Sequence, residues 1–278
     1  MARDRIGTAF HETFALNLAA IAAVLRVCDE HDGDLNPETI RQESDTTLGP
    51  NYVTSMTMYA RGTGLLEVGS YKLSPLGRIV RACDPNLMKL STLWMMHYHL
   101  SAPIGPGPGF WNYLVSNTIR IGATMKRSDV SRVISDYVER QVQKRLAQRT
   151  LDGTATAFLG TYQKSDSLGR LGLIRADENG SAYEIIQPEI PPLHSVACAL
   201  TYYWEDVGPA ASELLLKDLA SQEGFAGLFF LGSGMLGALL SELQSIGYVT
   251  VRRDAPPFVV ARNWTDPQDI RSSMYASE

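Results

Sequence analysis

One pattern recurs three times and restricts the fold more than anything else in this chain. A helix-like stretch ends at a glycine, two apolar residues follow, and then a hairpin of alternating residues. The copies are Gly64-Leu65-Leu66-Glu67-Val68 with Tyr71-Lys72-Leu73, Gly172-Leu173-Ile174 with Ala182-Tyr183-Glu184-Ile185, and Gly247-Tyr248-Val249-Thr250-Val251 with Phe258-Val259-Val260. Glycine takes the left-handed conformation that closes a helix at no steric cost. An alternating hairpin then folds back beside the helix. Helices followed by a hairpin make a winged-helix arrangement, so the expected fold class is mainly α with small β-hairpins, in tandem winged-helix-like units. Such units touch DNA in many proteins and make dimers or protein contacts in others.

The boundaries expected from punctuation are an N-terminal winged-helix domain with trailing helices over residues 1–101, a helical middle unit with the second hairpin over 110–190, and a C-terminal winged-helix-like unit over 191–278. In the first unit, Phe14, Leu18, Ile21, Leu25 and Cys28 recur at helical spacing, predicting a helix over 14–31. Asn36-Pro37, Gly49-Pro50 and Ser74-Pro75 each read as a helix start with proline in the first turn. The helix opened by Gly49-Pro50 should bury Val53, Met56 and Ala60 and present Asn51, Thr54, Ser55, Met58 and Arg61. Leu90 to Leu100 reads as an apolar, aromatic-rich helix, Pro103 to Gly109 as a loop, and 110–122 as helical. Lys126 to Arg149 reads as one long helix with an apolar stripe, followed by helices near 153–163 and 166–172. The last unit is expected as helices near 192–206 and 211–221, a strand from Gly227 to Leu231, a helix over 233–246 and a hairpin.

The net charge of −5 argues against a general nucleic-acid coat and leaves room for a local basic patch. Three scattered cysteines fit a reducing cytoplasm and no disulfide frame. The opening residues lack the apolar core of a signal peptide, and no apolar run is long enough to span a bilayer, so a cytoplasmic protein without membrane contact is expected.

Gly232-Ser233-Gly234-Met235-Leu236-Gly237 spells a G-x-G-x-x-G phosphate-binding pattern between an expected strand and helix. Few residues follow it, and no strand–helix alternation precedes it, so a tight helix entry is the better reading. His11, Glu12, Asp84 and His97 could make a metal or acid–base cluster, but no spacing demands it. His97 and His99 lie two apart on one helix and cannot share a face. No nucleophile elbow or phosphate loop is present. A non-enzymatic protein with no cofactor and no metal is therefore expected. The basic residues suited to phosphates are Lys126 and Arg127 in the long helix, Arg252 and Arg253 in the last wing, and Lys72 in the first. Arg78 and Arg81 lie near the first wing. Asn51, Thr54, Ser55 and Arg61 are placed to reach base edges.

The chain also resembles the bacterial domain-of-unknown-function family number four thousand and seven. The resemblance is carried by His11-Glu12-Thr13-Phe14, Leu48-Gly49, Gly64-Leu65-Leu66, Leu73-Ser74-Pro75-Leu76-Gly77, Asp84-Pro85 and Thr92-Leu93-Trp94-Met95-Met96-His97-Tyr98. Phe158-Leu159-Gly160-Thr161-Tyr162 and Leu171-Gly172-Leu173-Ile174 extend it. The resemblance implies winged-helix proteins from phage-defence gene neighbourhoods, beside genes similar to those for DNA phosphorothioation. The partners it implies are double-stranded DNA, plain or phosphorothioate-modified, other defence-system proteins, and a second copy in a homodimer. Two alternatives remain at this point. One is a winged-helix scaffold or dimerisation module without DNA binding. The other is an enzyme, either a methyltransferase of the S-adenosylmethionine type or a nuclease.

Overall fold

The computed structural model describes residues 6–44 and 49–276. Leu48, one of the residues that carry the resemblance, lies outside them. Three helices open the chain: α1 (Leu18–Glu30), α2 (Pro37–Glu43) and α3 (Pro50–Gly62). Asn17 caps α1 by accepting the Ala20 N–H, which starts the helix later than the apolar spacing alone suggests. Asn17→Ala is expected to cost about 1 kcal/mol in urea unfolding, since it removes that cap. Asn36 caps α2 through two backbone N–H groups, and Pro37 and Pro50 occupy first-turn positions as expected. The hairpin after α3 is minimal, with one bridge joining Leu66 and Leu73. Ser74 then caps α4 (Pro75–Cys83) by accepting the Gly77 N–H.

α5 (Leu90–Ser101) is the spine of the molecule. Every residue from Ser91 to Ser101 is buried, and α5 packs against α3, against α6 (Gly109–Asn117) and against α9 (Leu193–Val207). A helix that is enclosed on all sides has no polar face, which is why its sequence shows almost no amphipathic period. α6 is shorter than the expected 110–122. Residues 118–123 instead lead into β1 (Thr124–Met125).

The predicted long helix from Lys126 to Arg149 is two helices. α7 (Arg127–Tyr137) runs into a π-helical turn, Val138–Val142, and ends at Gln143, whose φ is 57°. The chain reverses over the next residues and α8 (Gln148–Gln163) packs side by side with α7. Both halves thus turn an apolar stripe toward the same core. A continuous helix would carry half of that stripe away from it. A 3-10 turn, Leu168–Leu171, follows in place of the second expected helix. β2 (Ile174–Ala176) and β3 (Tyr183–Ile185) then form an antiparallel sheet with β1, in the order β1-β3-β2.

After α9 comes a second small sheet. β4 (Glu213–Leu215) stands where a helix over 211–221 was expected, and α10 (Leu216–Leu219) supplies one turn of it. α11 (Phe225–Leu228) replaces the predicted strand over 227–231. Phe225, Leu228 and Phe229 pack inward from this compact turn, and Phe230 sits at a φ of 56°, which no strand permits. Four successive apolar residues do not distinguish a buried strand from a buried turn. α12 (Ser233–Ser245), β5 (Val249–Arg252), β6 (Val259–Arg262) and α13 (Pro267–Ser272) complete the chain. The strand order is β4-β6-β5, with β4 and β5 both antiparallel to β6.

The recurring glycines do what the repeat implies. Gly64, Gly172 and Gly247 have φ of 76°, 66° and 83°. At Gly64 a side chain would also strike the His99 ring. No helix among the described residues is long and apolar enough to cross a membrane.

Candidate nucleic-acid interface

A polar and basic concavity is a groove of about 590 Å³. Four separate segments wall it: Thr13 and Ala15, the Lys126-Arg127-Ser128 start of α7, the outer face of α8 down to Gln163 and Lys164, and Gly180, Ser181 and Tyr183 of the second hairpin. Lys126, Arg127 and Lys164 are all exposed, and no carboxylate is among the described residues that line it. Three cations without a lining anion make a local positive field in a chain whose net charge is −5. Acids close by serve the scaffold, Asp177 among them, which accepts from the N–H and hydroxyl of Ser181 in the second hairpin. Asp129 accepts the Lys126 backbone N–H at 2.9 Å and so fixes the start of α7. Asp152 accepts from Ser131 and Gln148, which hold its carboxyl below the ordinary range, with a smaller contribution from Arg127.

The His11-Glu12-Thr13-Phe14 stretch builds one rim of this groove. Glu12 and Thr13 have φ of 46° and 73°, an uncommon turn for residues with side chains. It is held from three sides. The Thr13 N–H donates to His11 Nδ1 at 2.9 Å, so His11 Nε2 carries the proton and donates to Thr154 of α8 at 3.0 Å. Ser55 Oγ donates to the His11 carbonyl, and Tyr59 OH donates to the Phe14 carbonyl. Phe14 meets Tyr52 edge-on at 5.1 Å, which ties the rim to the first turn of α3.

The other predicted contact residues are dispersed. Ser55 is fully buried, so its placement on the outer face of α3 is corrected: the helix is covered on a wider arc than Val53, Met56 and Ala60, because the 11–14 turn lies across it. Asn51 and Thr54 are exposed. Thr54 and Arg61 line a second, mainly apolar groove of about 450 Å³ between α2 and α3. Arg61 is engaged there by the Ser70 carbonyl and the Tyr71 ring. Lys72 packs against Gly33, Arg78 donates to the Leu73 carbonyl, and Arg81 pairs with Asp29. Arg252 is paired with Glu213 at 2.6 Å, while Arg253 is exposed. The structure thus brings Lys126 and Arg127 into one groove and leaves the other residues elsewhere. Lys164, Gln163, Ser128 and Tyr183 complete the groove and were not singled out from sequence. Their signal is juxtaposition of distant segments, which no local pattern carries.

The candidate acid–base residues fall into separate networks. Asp84 accepts from the Met88 and Lys89 N–H groups and from Thr92 Oγ1, closing the turn before α5. His97 bonds Tyr162 and the Leu228 carbonyl, each at 2.7 Å. Among the described residues no group of three or more His, Cys, Asp or Glu side chains could hold a metal ion. Gly232 is the N-cap of α12 and the helical turn α11, not a strand, leads into it, so the G-x-G-x-x-G stretch lacks the strand–turn–helix setting that its phosphate chemistry requires.

Residues 9–263 match the family model described as Protein of unknown function (DUF4007). No curated protein matches the chain in sequence. Two solved structures are similar in fold. One is described as the SspB crystal structure, with a TM-score of 0.77, and the other as magnesium ion-bound SspB, with a TM-score of 0.76. Each is 18% identical over 96% of this chain and 86% of the other.

Proposed function

We propose that this chain, which belongs to the DUF4007 family of proteins of unknown function, is a non-enzymatic DNA-binding or adaptor subunit of a bacterial anti-phage defence system. It holds a duplex by its phosphates while partner proteins do the chemistry. The groove at the start of α7 carries this proposal, with Lys126, Arg127 and Lys164 converging and no carboxylate lining it. Cations so placed displace condensed counterions from a nucleic-acid backbone and hold it without reading its sequence. The order α9, β4, α10–α11, α12, β5, β6 with sheet order β4-β6-β5 also supports a winged-helix reading of the last unit. The defence setting rests on the resemblance set out from the sequence.

The test is fluorescence anisotropy of a labelled duplex, plain and phosphorothioate-modified, at two salt concentrations. Binding should weaken steeply with salt. The triple variant Lys126→Glu, Arg127→Glu, Lys164→Glu should bind about tenfold more weakly and show a salt slope shallower by about 3. Arg252→Glu should change little, because Arg252 is already paired with Glu213. Undiminished binding by the triple variant would remove the groove from the interface. No binding at low salt would favour a protein–protein scaffold.

A further inference from the structure

The groove at the start of α7 holds more than its three cations. Tyr183 of β3 lines it as well. Its ring packs against the hydrophobic core yet is only half-buried. Its OH donates to the Gly180 carbonyl at 3.2 Å, so the turn of its own hairpin holds the ring in place. No other aromatic ring among the described residues stacks on it. Gln163, at the end of α8, is exposed in the same groove, and its side-chain amide has no hydrogen-bond partner among the described residues. The rim closes tightly on α8, because a Cβ on Gly160 would stand 3.1 Å from that of Ala15.

Holding a backbone by charge alone has no need of Tyr183 or Gln163. In a duplex the bases are stacked on one another and paired edge to edge, so phosphates are what it presents to Lys126, Arg127 and Lys164. An unpaired base exposes both a face and an edge. A groove of cations with an aromatic ring beside them is how single strands are held without regard to sequence: charge takes the backbone and the ring takes a base. Size makes the same distinction. A concavity of about 590 Å³ is that of a site for a drug-sized molecule, which one nucleotide is and a turn of duplex is not.

We infer that the strand crossing this groove is unpaired: the groove binds single-stranded DNA, with phosphates on Lys126, Arg127 and Lys164, a base against the Tyr183 ring, and Gln163 offered to that base's edge. The inference rests on the nucleic-acid reading proposed above and narrows it to a stretch of DNA whose two strands are apart.

The experiment is fluorescence anisotropy of the full chain with labelled DNAs of one length. They are a fully paired duplex, the same duplex with a central mismatched bubble, a single strand, and a single strand whose central positions are abasic. The bubble and the intact single strand should bind about tenfold more tightly than the paired duplex, the effect of one base on one ring. The abasic strand keeps its phosphates and should lose that tenfold. Every affinity should fall as salt rises, but the preference for bubble over duplex should hold, because stacking is not an ionic contact. Tyr183→Leu keeps apolar bulk against the core and should erase the preference while leaving duplex binding unchanged. Tyr183→Phe should retain it. Gln163→Ala, at an exposed position, should weaken the bubble about threefold and the duplex not at all.

Equal binding of duplex and bubble, with the abasic strand bound as well as the intact one, would overturn the inference and leave the phosphate groove standing. A preference for the bubble that survives Tyr183→Leu would overturn it too, since the unpaired strand would then be held elsewhere. No binding of any of these DNAs at low salt would overturn the nucleic-acid reading itself, and this inference with it.

Discussion

Tyr162→Phe should destabilise the protein by about 3 kcal/mol, although it removes a single oxygen. That oxygen is the hub of a buried relay in which every proton is assigned by geometry. The Leu228 carbonyl can only accept, so His97 Nε2 carries the proton that spans the 2.7 Å between them. His97 Nδ1 must then accept, and Tyr162 OH donates to it at 2.7 Å. The Tyr162 oxygen accepts in turn from Trp111 Nε1–H at 2.8 Å. Tyr162, His97 and Trp111 are 1% exposed or less. Phenylalanine would leave the indole N–H without its acceptor and His97 Nδ1 with only the Ser101 hydroxyl, 3.5 Å away and already donating to the His97 carbonyl. Each such orphan costs about 1–3 kcal/mol, more than the net worth of the bond itself. The measurement is urea unfolding, with the midpoint falling at unchanged m-value. A loss below about 1 kcal/mol would show that the relay is not held closed. The same chain of bonds joins α5, α6, α8 and α11, so this loss should appear as one cooperative transition.

The relay also explains which parts of the sequence were legible. Helix starts were, because Asn36-Pro37, Gly49-Pro50 and Ser74-Pro75 act on their immediate neighbours. So were the three helix-closing glycines, whose conformation is a property of one residue. The break between α7 and α8 was not, since the stripe of Val130, Ile134, Val138, Val142 and Leu146 keeps helical spacing straight through it. Periodicity records that residues face a core, not that the chain has turned back on itself. Ser55 shows the same limit: its burial comes from the 11–14 turn, 44 residues away in sequence.

The candidate site was legible only at Lys126 and Arg127, which stand together in the chain. Lys164 joins them because α8 runs back along α7, and Tyr183 because β3 pairs with β1. The His-Glu-Thr-Phe stretch reads as chemistry, yet in the structure it is architecture. His11 bonds across to α8, and Thr13 ends on the rim of the groove. The position of that rim depends on a neutral imidazole.

Acidification should therefore destabilise this protein before its surface carboxylates are titrated. Burial lowers the pKa of His11 and His97 to about 4 and of His99 to about 3, against 6.5 in an unfolded chain. Between those values the unfolded state binds more protons, so stability rises with pH there. The stabilisation from neutral histidines is thus complete above pH 6.5 and is lost as pH falls toward 4. By pH 5 each group has given up about 2 kcal/mol, and the three together about 6 kcal/mol. A domain of ordinary stability has about 5–15 kcal/mol in total, so a loss of that size is a large share of it. Geometry gives the same sign for His11 independently, since a proton on Nδ1 would oppose the Thr13 N–H that now donates to it. The check is thermal unfolding at pH 8, 7, 6 and 5, with the melting temperature nearly flat above 7 and falling steeply below 6.5. His11→Gln should flatten that fall by about a third while lowering stability at pH 7. A melting temperature unchanged down to pH 5 would mean that these imidazoles take up protons as readily in the folded protein as in the unfolded chain, and that burial does not hold them neutral.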